Sequence, residues 1–253
     1  ESLDKLIEQH GQPSALIDNF QSDNGFAIWG YENIFMSNLN SSFLNNAKVK
    51  GDQFNILQSL LDGWLESNQS ISAIGFVSYD IKNLLYPHIK FKISRTRHPC
   101  LWFAQPKSIR KYDFSSTKNY IKKPFLKLEK DILSLQKYEK LIFKIKDELK
   151  KGNSYQINLT MPKLFSFNSI SPFEIYLAIR KFVNPAFGYF INTGKEQILS
   201  FSPEQFFHTE GNIIRTFPMK GTRPRNINVN KDLMMKKELQ DSTKDKAEHL
   251  MIV

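Results

Sequence analysis

The chain has 253 residues, with 35 Lys+Arg against 25 Asp+Glu, a net charge of +10 and 41% hydrophobic residues, enough for one large core or two modest ones. A single cysteine, Cys100, excludes a disulfide framework or a multi-cysteine metal site and fits a reducing compartment. No apolar run approaches the roughly 18 residues of a membrane span, and Glu1-Ser-Leu-Asp lacks both Met and the pattern of a secretory signal, so a cytoplasmic protein with no membrane partner is expected.

The charge is unevenly spread: residues 1–81 hold 3 basic and 10 acidic groups, 82–160 hold 19 and 6, and 161–253 hold 13 and 9. In the acidic first part, Phe26-Ala-Ile-Trp-Gly-Tyr and residues 71–79 read as strands, with a helix over 54–65 between them. Lys107 to Lys130 is lysine-rich and weakly periodic, and reads as a surface connection. Leu135, Tyr138, Leu141, Ile142, Ile145 and Leu149 then recur at helical spacing, predicting an amphipathic helix over 131–151 with Gly152 as its cap. Its lysines lie mostly off the apolar stripe, as on a solvated face. The basic middle block raises a nucleic-acid-binding module as a reading of another class. No RNA-recognition signature, zinc-finger spacing or basic heptad accompanies it, so no nucleic-acid partner is expected.

Tyr155-Gln-Ile-Asn-Leu-Thr reads as a strand, and Ser171-Pro-Phe-Glu opens a helix with a capping box that should end near Val183, ahead of Asn184-Pro185. Residues 188–192, 197–201 and 212–216 read as three strands of an antiparallel meander, with Thr193-Gly194-Lys195 and Glu210-Gly211-Asn212 as turns. Residues 231–239 and 244–253 read as helices, the second capped from Asp241-Ser-Thr. That last helix carries no stop signal, so the chain is expected to continue. The pattern predicts an α+β protein with substantial antiparallel sheet. It divides into residues 1–106, a connection over 107–130, and a second part over 131–253.

The densest polar grouping is Thr216-Phe-Pro-Met-Lys-Gly-Thr-Arg-Pro-Arg. Glycine after Lys220 lets a substrate approach the backbone, Arg223 and Arg225 offer forks for carboxylates or phosphates, and nearby cations favour a neutral, nucleophilic amine. The plainer reading is an exposed lysine in a basic loop. Glu204, in Phe201-Ser-Pro-Glu-Gln-Phe-Phe, is either a general acid lodged among aromatics or an edge glutamate facing water. Glu248-His249 could bind a metal, although adjacent helical residues point about 100° apart. His88, His98 and His208 lack companions at ligand spacing and read as structural or surface residues.

Taken together, Gly152-Asn-Ser-Tyr-Gln-Ile-Asn-Leu, Phe201-Ser-Pro-Glu-Gln-Phe, Pro218-Met-Lys-Gly-Thr-Arg-Pro-Arg and Lys246-Ala-Glu-His-Leu-Met-Ile-Val resemble the chorismate-utilising enzymes, in that family's order and spacing. Leu16-Ile-Asp-Asn and Gly75-Phe-Val-Ser-Tyr-Asp match it more loosely. The resemblance implies layered antiparallel β-sheets flanked by helices, as in anthranilate synthase component I. It also implies that 131–253 is only the first part of the catalytic domain. A second metal-binding glutamate and the main carboxylate-binding arginine and tyrosine would then lie past Val253, and these residues alone would be inactive.

Within the family, lysine in the Pro-x-Lys-Gly-Thr motif marks the aminodeoxychorismate synthases, whereas anthranilate synthases and isochorismate-forming enzymes carry alanine. Lys220 points to the former. Gln156 stands where water-activating enzymes of the family hold a lysine, which speaks against water as nucleophile. The resemblance implies that Lys220 attacks C2 of chorismate, that Glu204 serves as general acid, and that Gln156, Gly221 and Thr222 contact substrate. It further implies Mg2+ held partly by Glu248, and ammonia from a separate glutaminase subunit, since no glutaminase cysteine motif is present. Anthranilate synthase component I is the alternative enzyme, weakened by Lys220.

Overall fold

A computed structural model describes residues 1–19, 24–67, 69–91, 98–114, 126–131, 133–168 and 170–253. It divides into two compact units, one of Glu1–Lys118 with Phe182–Val253 and one of Asn119–Lys181. The architecture is α+β, with antiparallel sheets and flanking helices, as the sequence predicts.

The first unit is built on an eight-stranded sheet. Its long strand β2 (Asn24–Ser37) pairs along one edge with β1 (Ala15–Asn19) and then with β3 (Ser42–Leu44), which continues to β4 (Ala47–Val49). β5 is Ile74–Val77, and β6 (Leu101–Asp113) pairs with β5 and along the other edge of β2. β7 (Leu126–Asp131) and β8 (Lys163–Phe167) belong to the second unit. β9 (Phe187–Asn192) then pairs with β1, matching Ala15 to Ile191, and β10 (Gln197–Ser202) closes that edge. The sequence reading set boundaries at 106 and 130, and strand pairing runs across them.

Successive residues of a strand face opposite sides, and β6 shows this directly. Trp102 and Ala104 pack with Ala15, Ile28, Ile74 and Ile191 on one side. Leu101 packs on the other with Phe35 and with Leu57 and Trp64 of helix α2 (Gln53–Leu65). The seven-residue spacing of Leu57 and Trp64 puts both on one helix face, and Asp52 caps the helix by accepting from the Phe54 and Asn55 amides, each at 3.0 Å. The helix α1 (Leu3–His10), capped by Ser2, buries Leu3 and Leu6 and adds to the helices expected from the sequence. A short helix α3 spans Lys82–Leu85.

Three readings change. Lys107, Arg110 and Lys111 lie in β6, and Lys127 lies in β7, so lysines at both ends of the supposed connection are strand residues; residues 115–125 lie outside the described residues. Tyr155–Thr160 forms no strand. In the second unit the strand is β8, where Leu164, Phe165 and Phe167 find β7 as a partner. A ladder needs a second edge, and alternation alone does not say which segment finds one. Finally, Ile213–Arg215 (β12) does not extend the meander but pairs with His208–Glu210 (β11) in a separate two-stranded hairpin.

The helices agree more closely. In the second unit, α4 (Leu135–Lys150) ends as expected: Gly152 has φ +75°, its N–H donates to the Leu149 carbonyl at 3.1 Å, and Asn153 N–H donates to that of Glu148 at 3.1 Å. These are the two bonds of a Schellman end, for which glycine suits the left-handed position. Helix α5 (Pro172–Val183) opens with the expected reciprocal box. There Glu174 N–H donates to Ser171 Oγ at 3.2 Å, and Ser171 N–H to Glu174 Oε2 at 2.8 Å. Helices α6 (Val229–Asp241) and α7 (Thr243–Ile252) follow in the first unit.

Candidate functional site

The chain leaves β10 at Ser202, whose hydroxyl donates to the Glu204 carbonyl at 2.7 Å, turning the backbone so that Glu204 is half-buried. The Glu204 carboxylate then reaches across the hairpin: Oε1 accepts from the Met219 N–H at 3.1 Å. Lys220 is the next residue. Phe206 and Phe207 are 87% and 54% exposed, so these two rings do not bury Glu204, and the hydrogen-bond partner of its carboxylate is a backbone amide. Glu204 Oε2 and the Lys220 amine have no hydrogen-bond or ion-pair partner among the described residues.

The following residues are tied down by acids. Gly221 has φ +67°, and a Cβ there would stand 2.8 Å from Asp245 Cγ and Oδ1. Arg223 Nε donates to Glu238 Oε1 of α6 at 2.8 Å, Nη2 to Asp245 Oδ2 of α7 at 3.1 Å, and Nη1 to the Thr222 carbonyl at 3.0 Å. Arg225 forks onto Asp232, with Nε at 2.8 Å from Oδ1 and Nη2 at 2.9 Å from Oδ2. Both guanidiniums are therefore occupied by the chain's own carboxylates. That corrects the expectation that they stand open for substrate carboxylates and charge the surroundings of Lys220, because each cation is neutralised by its partner.

The pairing shows in the acids. Arg225, helped by the Asn226 N–H, holds the Asp232 carboxyl below its ordinary value. The Ser242 hydroxyl, and after it the Arg223 guanidinium, does the same for Asp245. Ser242 is also the N-cap of α7, accepting from the Asp245 N–H at 3.2 Å. Asp232, Glu238 and Asp245 were not singled out from the sequence. Ser242-x-x-Asp245 is a capping pattern that could have found the last of them.

Glu248 lies on α7, one turn beyond Asp245 and so on the same helix face. It is half-buried, with Lys244 Nζ 3.7 Å from Oε1. The structure thus brings Glu204, Lys220, Gly221 and Thr222 into one hairpin-and-loop assembly docked on the helix that bears Glu248. Gln156 belongs to the second unit, where the Ser154 hydroxyl donates to its carbonyl at 2.9 Å. Among the histidines set aside, His98 pairs with Glu196, and His208 is exposed on β11.

Mg2+ is held by one or two carboxylates together with waters and substrate oxygens. Among the described residues no three His, Cys, Asp or Glu side chains cluster as a metal site. Glu248 offers a single carboxylate beside a lysine, so these residues alone do not make a magnesium site. A cavity of about 450 Å³ opens nearby, lined by Arg223, Pro224, Arg225, Asp232, Leu233 and Leu239 among others. Neither Lys220 nor Glu204 lines it, so this opening does not place a ligand at the lysine. No helix among the described residues is long and apolar enough to cross a membrane.

Residues 12–253 match the family model described as chorismate binding enzyme, and the chain belongs to that family. It is 28% identical over 194 residues to anthranilate synthase component 1 of Saccharolobus solfataricus, covering 71% of this chain and 46% of that protein. It is 32% identical over 117 residues to aminodeoxychorismate synthase component 1 of Bacillus subtilis, covering 46% of this chain and 24% of that protein. The crystal structure of anthranilate synthase component I from Streptococcus pneumoniae shares the fold. Its TM-score is 0.69 at 17% identity, over 90% of this chain and 59% of that one. The chain spans less than half the length of these curated relatives.

Proposed function

We propose that this chain is part of component I of an aminodeoxychorismate synthase, converting chorismate and ammonia to 4-amino-4-deoxychorismate. The observation that carries the reading is Lys220. Its amine is not held by any carboxylate among the described residues, and it stands one residue from the amide that seats Glu204. In the proposed reaction Lys220 Nζ bonds to C2 of chorismate as the C4–O bond breaks, and Glu204 gives its proton to the departing hydroxyl, which leaves as water. Ammonia then bonds to C4, the C2–Nζ bond breaks, and pyruvate is not lost. The covalent step splits one difficult displacement into two easier ones. Gln156, Gly221 and Thr222 are proposed substrate contacts, Glu248 is proposed as one carboxylate toward Mg2+, and a separate glutaminase subunit is proposed as the ammonia source.

A second reading, anthranilate synthase component I, is favoured by the names of several relatives. It predicts loss of pyruvate and no use for the lysine. The deciding measurement is ammonia-dependent turnover of chorismate by the full-length protein, with the product identified by mass. 4-Amino-4-deoxychorismate supports the proposal, and anthranilate with pyruvate refutes it. Lys220→Ala should abolish both turnover and any covalent adduct at that position.

A further inference from the structure

We propose that Asp245 is a positioning residue for the Lys220 amine, acting through Gly221 and Arg223. The proposal rests on Lys220 being the nucleophile, and it assigns a task to a carboxylate that the chemistry itself does not use.

Lys220 is pinned on both flanks. On one side the Met219 N–H is held by Glu204 at 3.1 Å. On the other, the Asp245 carboxylate occupies the space a side chain at 221 would need, with Cγ and Oδ1 2.8 Å from that Cβ position, and Gly221 adopts φ +67° to receive it. The other Asp245 oxygen, Oδ2, accepts from Arg223 Nη2 at 3.1 Å, while Arg223 Nε reaches Glu238 at 2.8 Å. A single guanidinium therefore ties the residues after Lys220 to both α6 and α7. Arg223 and Asp245 are only 25% and 14% exposed, unlike a loose surface pair. Asp245 is itself immobilised, because Ser242 caps α7 through the Asp245 N–H.

Asp245 and Glu248 are three residues apart and share a helix face. The carboxylate that seats the glycine thus also sets the register between the lysine loop and the Glu248 face. Misplacing a reacting group by about 1 Å costs on the order of a hundredfold in rate, so the contact matters to rate more than to folding.

The test uses the full-length protein. Asp245→Asn keeps the shape and the capped N–H but removes the charge facing Arg223. Arg223→Lys keeps the charge but cannot fork between Glu238 and Asp245. For each variant the measurements are the single-turnover rate of adduct formation on Lys220 by mass, kcat and KM for chorismate, and the thermal midpoint. We expect adduct rate and kcat to fall roughly tenfold to a hundredfold, with a smaller rise in KM through the proposed Gly221 and Thr222 contacts. Wild-type adduct rates in the variants, or losses that merely track the unfolded fraction, would overturn the proposal. If Asp245→Asn does not fold, Arg223→Lys decides alone. Absence of any Lys220 adduct in the unaltered protein refutes the nucleophile reading and this inference with it, whereas an adduct forming equally fast in the variants removes this inference only.

Discussion

The eight-stranded sheet and the segment from Pro203 to Val253 belong to one compact unit, yet they are held by different forces. The sheet contains Leu16, Ile28, Phe35, Ala104 and Phe190, all at 0% exposure. Residues 203–253 contain no buried residue at all. What orders them is a set of directed polar links: Glu204 to the Met219 amide, Arg223 to Glu238 and Asp245, and Arg225 to Asp232. Burial is strong and non-directional, whereas solvent-accessible ion pairs contribute little to stability. A bidentate fork nevertheless specifies geometry. The sheet supplies stability, and the site-bearing segment spends its polar groups on position.

That contrast can be broken or sharpened experimentally. The largest stability effect should come from the sheet: Phe35→Ala, at a fully buried position packed on Leu57 and Trp64, should cost about 3–5 kcal/mol in denaturant unfolding. A smaller effect is expected at Gly221. Alanine there must adopt a left-handed conformation, worth about 1–2 kcal/mol, and must displace Asp245. Gly221→Ala should therefore speed amide exchange across 216–245 while leaving exchange in β1, β2 and β6 unchanged. Loss of protection in the sheet as well would show that the two regions are not separable.

The gentlest probe is pH. Asp232 and Asp245 are held below their ordinary value of 3.8 in the folded chain. At acid pH the released carboxyls therefore bind more protons than the docked ones, and docking gains from a rise in pH through this range. The loop-to-helix links should be fully present above 3.8 and weaken as pH falls through 3.8 toward the lower folded values. Exchange rates in 221–245 followed down to pH 2 should show this, and docking that strengthens on acidification would contradict it.

Features that depend on near neighbours were legible in the sequence. Ser171 and Glu174 form the capping box their spacing predicts, and Gly152 ends α4 in the expected left-handed position, because both devices close within six residues. The apolar stripe of α2 was equally readable. The candidate residues Glu204 and Lys220 also stood out, and the hairpin joins their surroundings through one amide. Features needing a distant partner were not legible. Tyr155–Thr160 alternates as a strand does but finds no ladder, while Ile213–Arg215 pairs with His208–Glu210 and not with β10.

By itself, then, the amino-acid order determined most of the longer helices, the Ser171–Glu174 capping box and the glycine that ends α4, since each follows from backbone propensity over a few residues. Only the tertiary structure decided that β1 pairs with β9, some 170 residues away. It alone showed that Arg223 and Arg225 are taken by Glu238, Asp245 and Asp232. A hydrogen-bond donor carries no local mark of which acceptor will reach it, so the positions that aim Lys220 became visible only when the chain folded back on itself.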